Sequence, residues 1–168
     1  MKALIQKVPV PLAGVVLGLT ALGNLLVSLS PLLRWGCGAL AAPLGMLLVL
    51  KFLLFPAALR KDFSNPILAS GSATIFMSVM QLASYVQPFF PALSLLVWYA
   101  AILGHYLLMA WFSWHYLRHF RLEDVYPTYF IAYVGIIVAS VPSASFDRTA
   151  LGYGIFWFGF IAYGAMLV

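Results

Sequence analysis

The side chains able to do chemistry are few and easily weighed. His105, beside Gly104, is the titratable group that lies clearly inside an apolar run. A proton relay or metal ligand there needs a partner, and no carboxylate or second imidazole is evident at its depth. His115 and His119 have the i, i+4 spacing that sets two imidazoles on one helix face, as a metal or haem pair requires. They stand among Trp111, Trp114 and Tyr116, the composition of an interfacial aromatic belt, so a structural role is expected for all three histidines. Asp62, Glu123, Asp124 and Asp147 all fall between apolar runs. Coupled carriers usually hold ionisable groups at membrane depth, so this placement argues for an uncoupled pathway and favours anions over cations. Ser70-Gly71-Ser72-Ala73 lacks the pattern of a nucleophile elbow, and Cys37 is alone. With no carboxylate pair in the membrane and no phosphate-cradling glycine loop, neither an enzyme nor a cofactor or metal site is expected.

A second group of residues is small or weakly polar and recurs at helical spacing. Gly14, Gly18, Ala21 and Ser28 share one face of the first apolar run, flanked by Asn24. Ser70, Thr74, Ser78, Gln81 and Ser84 line a broad face of the third. Thr128, Ala132, Gly135, Ala139 and Ser143 do so in the fifth. On any one membrane helix such a stripe means close packing. Three stripes on alternate runs, separated by heavier runs such as KFLLF, SLLVWY and FWFGF, suggest an inner ring facing a common axis. Gly14, Gly18, Ala21, Ser70, Thr74, Gln81, Ala132, Gly135 and Ala139 are the expected pore-lining positions. Such an axis holds water or a weakly bound ion and offers no fixed charge to trap one.

The elements that must position these residues are membrane helices. Only 8% of the 168 residues are charged, and the mean hydropathy is +1.03, far outside the range of soluble domains. Apolar runs cover about 9–29, 36–55, 67–86, 89–111, 126–141 and 150–168. The expected fold is all-α and polytopic: a single membrane domain over 1–168 with about six transmembrane helices in three hairpins. The fifth run is short for a hydrocarbon core of about 30 Å, and Pro127 and Pro142 bracket it. The basic N-terminal residues imitate a signal peptide, but the run continues to Leu29 with no small-residue cleavage site, so it is expected to span.

Between the second and third runs lies PAALRKDFSNP. Pro66 fits the first turn of a helix, and Asn65 before it is driven out of helical conformation. This charged stretch reads as the aqueous turn of a hairpin. With the N-terminus cytoplasmic, Lys2, Lys7, Arg60, Lys61, Arg118 and Arg121 lie inside while Arg34 and Arg148 lie outside. That bias orients the chain, with Lys51 snorkelling from the second run. The net charge of +5 is scattered over loops, so nucleic acid is not an expected partner. Membrane lipid is, and the basic turns would concentrate anions at the inner mouth.

Several stretches resemble the tellurite-resistance/dicarboxylate transporter (TDT) family, which includes the plant guard-cell slow anion channels. They are PVPLAGVVLGLTALGNLL, LLFPAALRKDFSNPILASGSATIFMSVMQLASYV, LVWYAAILGHYLL and YPTYFIAYVGIIVAS. DFSNPILAS and the segment from Tyr126 to Gly135 carry most of the likeness, which runs over nearly the whole chain. The resemblance implies ten helices in five hairpins, odd ones inside and even ones outside, around a central anion path. It also implies a homo-oligomer, a trimer with one pore per subunit. Where relatives often kink inner helices with proline, this chain has Val16 and Ala132, with Gly18 and Gly135 nearby as softer substitutes. Family members are about twice as long, and their gating phenylalanine belongs to a ninth helix. The expectation is therefore an N-terminal six-helix portion, or a chain that must associate to close its ring.

The functional expectation is an anion channel or exporter in the cell (plasma or inner) membrane. It would pass chloride, nitrate, sulfite, tellurite or C4-dicarboxylates by uncoupled diffusion. The alternatives are a non-conducting scaffold whose small-residue faces bind partner helices, and a proton-coupled dicarboxylate carrier working through His105.

Overall fold

The computed structural model describes residues 5–118 and 126–167. Lys2, His119, Arg121, Glu123 and Asp124 lie outside the described residues. The described chain is helical, without strands, and five of its helical spans are long and apolar enough to cross a membrane. It is an all-α polytopic membrane protein.

Helix α1 (Leu12–Leu26) starts after Pro9 and Pro11 and packs most extensively on α2 (Pro31–Leu54). Ser30 begins α2: its backbone is extended, its Oγ accepts from the Leu32 N–H at 3.2 Å, and Pro31 takes the first helical position. A Cβ at Gly38 of α2 would meet the Tyr85 ring at 2.8 Å, and one at Gly23 of α1 would meet the Tyr85 hydroxyl. The absence of side chains there lets Tyr85 insert between the two helices and donate to Thr20 O at 2.8 Å.

The charged turn is itself helical. Helix α3 (Pro56–Phe63) exposes Arg60 and Lys61 and brings Asp62 back to α2. Lys51 does not snorkel: its Nζ lies 3.0 Å from Asp62 Oδ2, and the lysine is buried. An ammonium held away from water keeps its charge only beside a counter-ion, and the reversal of the chain in α3 supplies one. Asn65 is extended, and its Oδ1 accepts from the N–H groups of Ile67 and Leu68 to start α4 (Pro66–Gly71). After a tight turn at Ser72, α5 (Ala73–Val86) completes the third span.

The uncharged Gln87–Phe90 turn leads into α6 (Pro91–Phe112), which continues as a π-helical turn over Ser113–Leu117. The fifth span is α7 (Tyr129–Tyr133) followed by a 3-10 helix, Gly135–Phe146. At about 2.0 Å per residue the 3-10 part alone reaches about 24 Å, against about 18 Å for the same residues as α-helix. Stretching thus gives a short sequence the reach to cross. Asp147 ends it in the left-handed conformation (φ 54°), and the Arg148 N–H closes on Ser143 O at 2.9 Å. Helix α8 (Thr149–Leu167) then packs on the 3-10 segment. The main core lies between α5, α6 and that segment, with Met80, Trp98, Ile136 and Ala139 at its centre.

Asp62→Asn should lower stability by roughly 2 kcal/mol, because it strands the buried Lys51 ammonium. The paired change Lys51→Met with Asp62→Leu should recover most of that loss. Thermal melting in detergent reads both, and an Asp62→Asn protein melting like the parent would show that the pair does not hold the turn.

Candidate functional site

The alternate segments meet around a cavity of about 250 Å³, lined among others by Gly14 of α1, Gly71 and Thr74 of the third span, and Thr128 and Ile131 of the fifth. No lining residue is charged. A larger apolar groove of about 840 Å³ runs between α2 and α5 over Gly38, Ala42, Gly45 and Leu82. It presents almost no hydrogen-bonding surface, so the smaller cavity is the candidate site.

The glycines divide into closely packed and open positions. A Cβ built at Gly14, Gly18 or Gly71 meets nothing within 4 Å. A mid-helix glycine costs up to about 1 kcal/mol relative to alanine, so a glycine with open space beside it is not repaid by close packing within the described chain. Gly135 is different: a Cβ there would lie 2.7 Å from Met77 Sδ. Ala132 and Ala139 are buried, Ala139 within the main core. The structure therefore brings Gly14 and Thr74 together at the cavity, with Gly18 exposed on the same helix one turn on and Ala21 half-buried beyond. Ala132, Gly135 and Ala139 pack against neighbouring elements, while the cavity takes Thr128 and Ile131 from the fifth span. Helix α1 runs uninterrupted through Gly18, whereas the fifth span changes from α to 3-10 beside Gly135.

The hydroxyls of the third span are already engaged. Ser70 Oγ is 2.8 Å from Pro66 O and 2.8 Å from Thr128 Oγ1, tying the third span to the fifth. Thr74 donates to Gly71 O at 2.7 Å and Ser84 to Gln81 O at 2.7 Å. Ser78 Oγ lies 2.7 Å from Thr74 O and 2.8 Å from Ala13 O. A hydroxyl has one proton, so these groups turn lone pairs, not donors, toward any ion.

Gln81 belongs to a separate polar cluster. It is 2% exposed, and its Oε1 accepts from Asn24 Nδ2 at 2.7 Å. Arg34 Nε donates to Asn24 Oδ1 at 3.1 Å and Nη2 to Ser84 O at 2.7 Å, with the guanidinium 4.8 Å from the Tyr85 ring centre. In sequence Arg34 shows only an orienting role, and Asn24 only flanks a stripe. The available signal was that Asn24 and Gln81 are the carboxamides inside the first and third apolar runs.

His105 is fully buried, and its Nε2 donates to Ala132 O at 2.9 Å, next to the junction where the α-helical part of the fifth span ends. A carbonyl can only accept, so the ring proton sits on Nε2. His105 thus braces that junction from α6. His115 is exposed and stacks on Trp111 with centroids 5.3 Å apart.

Apolar spanning helices around an uncharged cavity define a polytopic membrane protein. The family model of the voltage-dependent anion channels (SLAC1) matches residues 7–168, and the chain belongs to that family. Membership assigns an anion channel or transporter role in general terms. No curated protein matches the chain.

Gly18→Leu should leave the melting temperature nearly unchanged, because its side chain enters open space. Gly135→Leu should cost about 1–3 kcal/mol through collision with Met77. Equal melting shifts for the two, measured in the same detergent, would contradict this division between lining and packing glycines.

Proposed function

We propose that this chain contributes a path for small anions, passed by uncoupled diffusion between its odd-numbered spans. The observation that carries the reading is the uncharged cavity between those spans, bordered by glycines that packing within the described chain does not require. The proposed path face takes in Gly14, Gly18, Ala21, Gly71, Thr74, Gln81 and Thr128, with Ser70 closing it at one end. Ala132, Gly135 and Ala139 shape it from behind.

Chloride, nitrate and sulfite are the favoured cargo, with C4-dicarboxylates and tellurite as larger family-type candidates. A seam whose hydroxyl donors are spent gives none of them a tight resting site, which suits rapid passage. The chain is oriented N-terminus inside, in the cell membrane, as a homo-oligomer, a trimer by family resemblance. His105 holds the fifth span and takes no part in proton coupling.

The second reading is a non-conducting assembly subunit. The exposure of Gly14 and Gly18 favours it, because a bare glycine face is also what a partner helix seeks. In planar bilayers under a potassium chloride gradient, the anion-path reading expects a reversal potential near the chloride equilibrium value. Gly14→Leu and Gly18→Leu should each cut the current by at least about threefold by narrowing the path. A reversal potential at the potassium value overturns the reading. Unchanged current in both variants removes these lining assignments, and silence of the inserted protein favours the assembly subunit.

A further inference from the structure

The buried side chain of Gln81 carries donors that no described protein group uses, and neighbouring bonds fix their direction. Arg34 can only donate, so the Asn24 atom 3.1 Å from its Nε must be the carboxamide oxygen. That places Asn24 Nδ2 toward Gln81, and a donor there requires Gln81 to present Oε1, as the 2.7 Å contact shows. The Gln81 NH2 is thereby turned away from Asn24, and it makes no hydrogen bond to any described residue. Ser84, the nearest hydroxyl of its own helix, is occupied by the Gln81 carbonyl and the Asn24 amide.

The Gln81 side chain is 98% buried, yet its nitrogen is not among the fully enclosed unpartnered atoms of the described residues, which are Trp98 Nε1 and His105 Nδ1, so the amide stays within reach of a small ligand. Gln81 sits seven residues after Thr74, two turns along the same side of the third span, so its side chain leaves the helix on the face that borders the cavity at Thr74. The nearby positive charge is also unbalanced. Among the described residues no carboxylate lies within 4.0 Å of Arg34, whose bonds go to neutral oxygens.

From this geometry we infer that Gln81 is an anion-coordinating residue, its NH2 donating to a small anion in the seam while Asn24 and Arg34 hold it in that orientation. The ligand class is a monovalent inorganic anion of chloride or nitrate size. The carboxamide supplies donors, and Arg34 supplies a field without a direct ion pair that would trap the ion. The inference rests on the anion-path reading for its place in transport, but the binding site can be tested separately from conduction.

The test is excess 35Cl line broadening by the full-length chain in lipid nanodiscs, titrated with nitrate as competitor. Chloride flux from proteoliposomes is measured on the same preparations. The parent should broaden the chloride line, nitrate should reverse it, and Gln81→Leu should weaken the site by about tenfold or more, the worth of one hydrogen bond to a charged group. Gln81→Met, unbranched and of similar length, serves if the leucine variant fails to fold. Gln81→Asn should restore part of the signal. Broadening that is absent from the parent, or equal in the parent and the folded apolar variant, overturns the site. Flux that persists in either case leaves the path reading standing. A parent that binds chloride through Gln81 but passes none upholds the site while removing the path.

Discussion

Inside hydrocarbon no water is available to a backbone N–H or C=O, and this constraint governs where the chain can depart from regular helix. It departs where side chains or the next hydrogen-bonding pattern take over. At Ser72 the third span tightens, and the hydroxyls of Ser70, Ser72 and Thr74 all bond carbonyls of their own turn. At Val134 the fifth span passes from α to 3-10, and His105 from α6 meets Ala132 O just before the change. Ser140 and Ser143 repeat the device along the 3-10 helix, bonding Ile137 O and Ser140 O. The polar residues of this chain are mostly backbone partners. That is why so few polar groups remain for an ion.

The same constraint explains what was legible in the sequence. Apolar runs at membrane length are unambiguous, so the helical class and the hairpin at Arg60–Pro66 could be read directly, down to Asn65 and Pro66 at a helix start. The fifth span was harder. At the α-helical rise its length falls short of a membrane core, and composition does not announce a 3-10 helix. Pro142 gave a cue, but a proline marks a departure from α without saying which. The stripes were visible as periodicity, yet periodicity assigns a face and not its neighbour. Gly18 and Gly135 are equivalent on a helical wheel; only the fold places empty space beside one and Met77 beside the other.

Charge placement escapes local pattern where tertiary reach decides it. Lys51 near the end of an apolar run reads as a snorkelling lysine, and the alternative required knowing that α3 folds back to bring Asp62 to it. Arg34 reads as an orienting charge in a loop. Its partners, Asn24 and Ser84, lie ten and fifty residues away, beyond any pattern of local spacing. Long side chains at helix ends reach across an element boundary, so their contacts are set by packing and not by sequence neighbourhood.

A path for anions through such a bundle faces opposed demands. Ionised side chains at depth would bind an anion firmly or repel it, and either outcome slows passage. Hydroxyls already committed to the backbone offer the ion no donors at all. A buried carboxamide falls between these limits: it donates without carrying charge, and its strength is set by how firmly its orientation is held. Gln81 differs from the serines around it in this respect, because its oxygen, not its donor, is engaged by the protein. Fixing the acceptor end through Asn24 and Arg34 determines which end faces inward, and a flipped amide would present oxygen to the same space. Under the proposed reading, preference for anions would then depend on a chain of two hydrogen bonds, one between carboxamides and one from the Arg34 guanidinium, and not on a charge placed in the path itself.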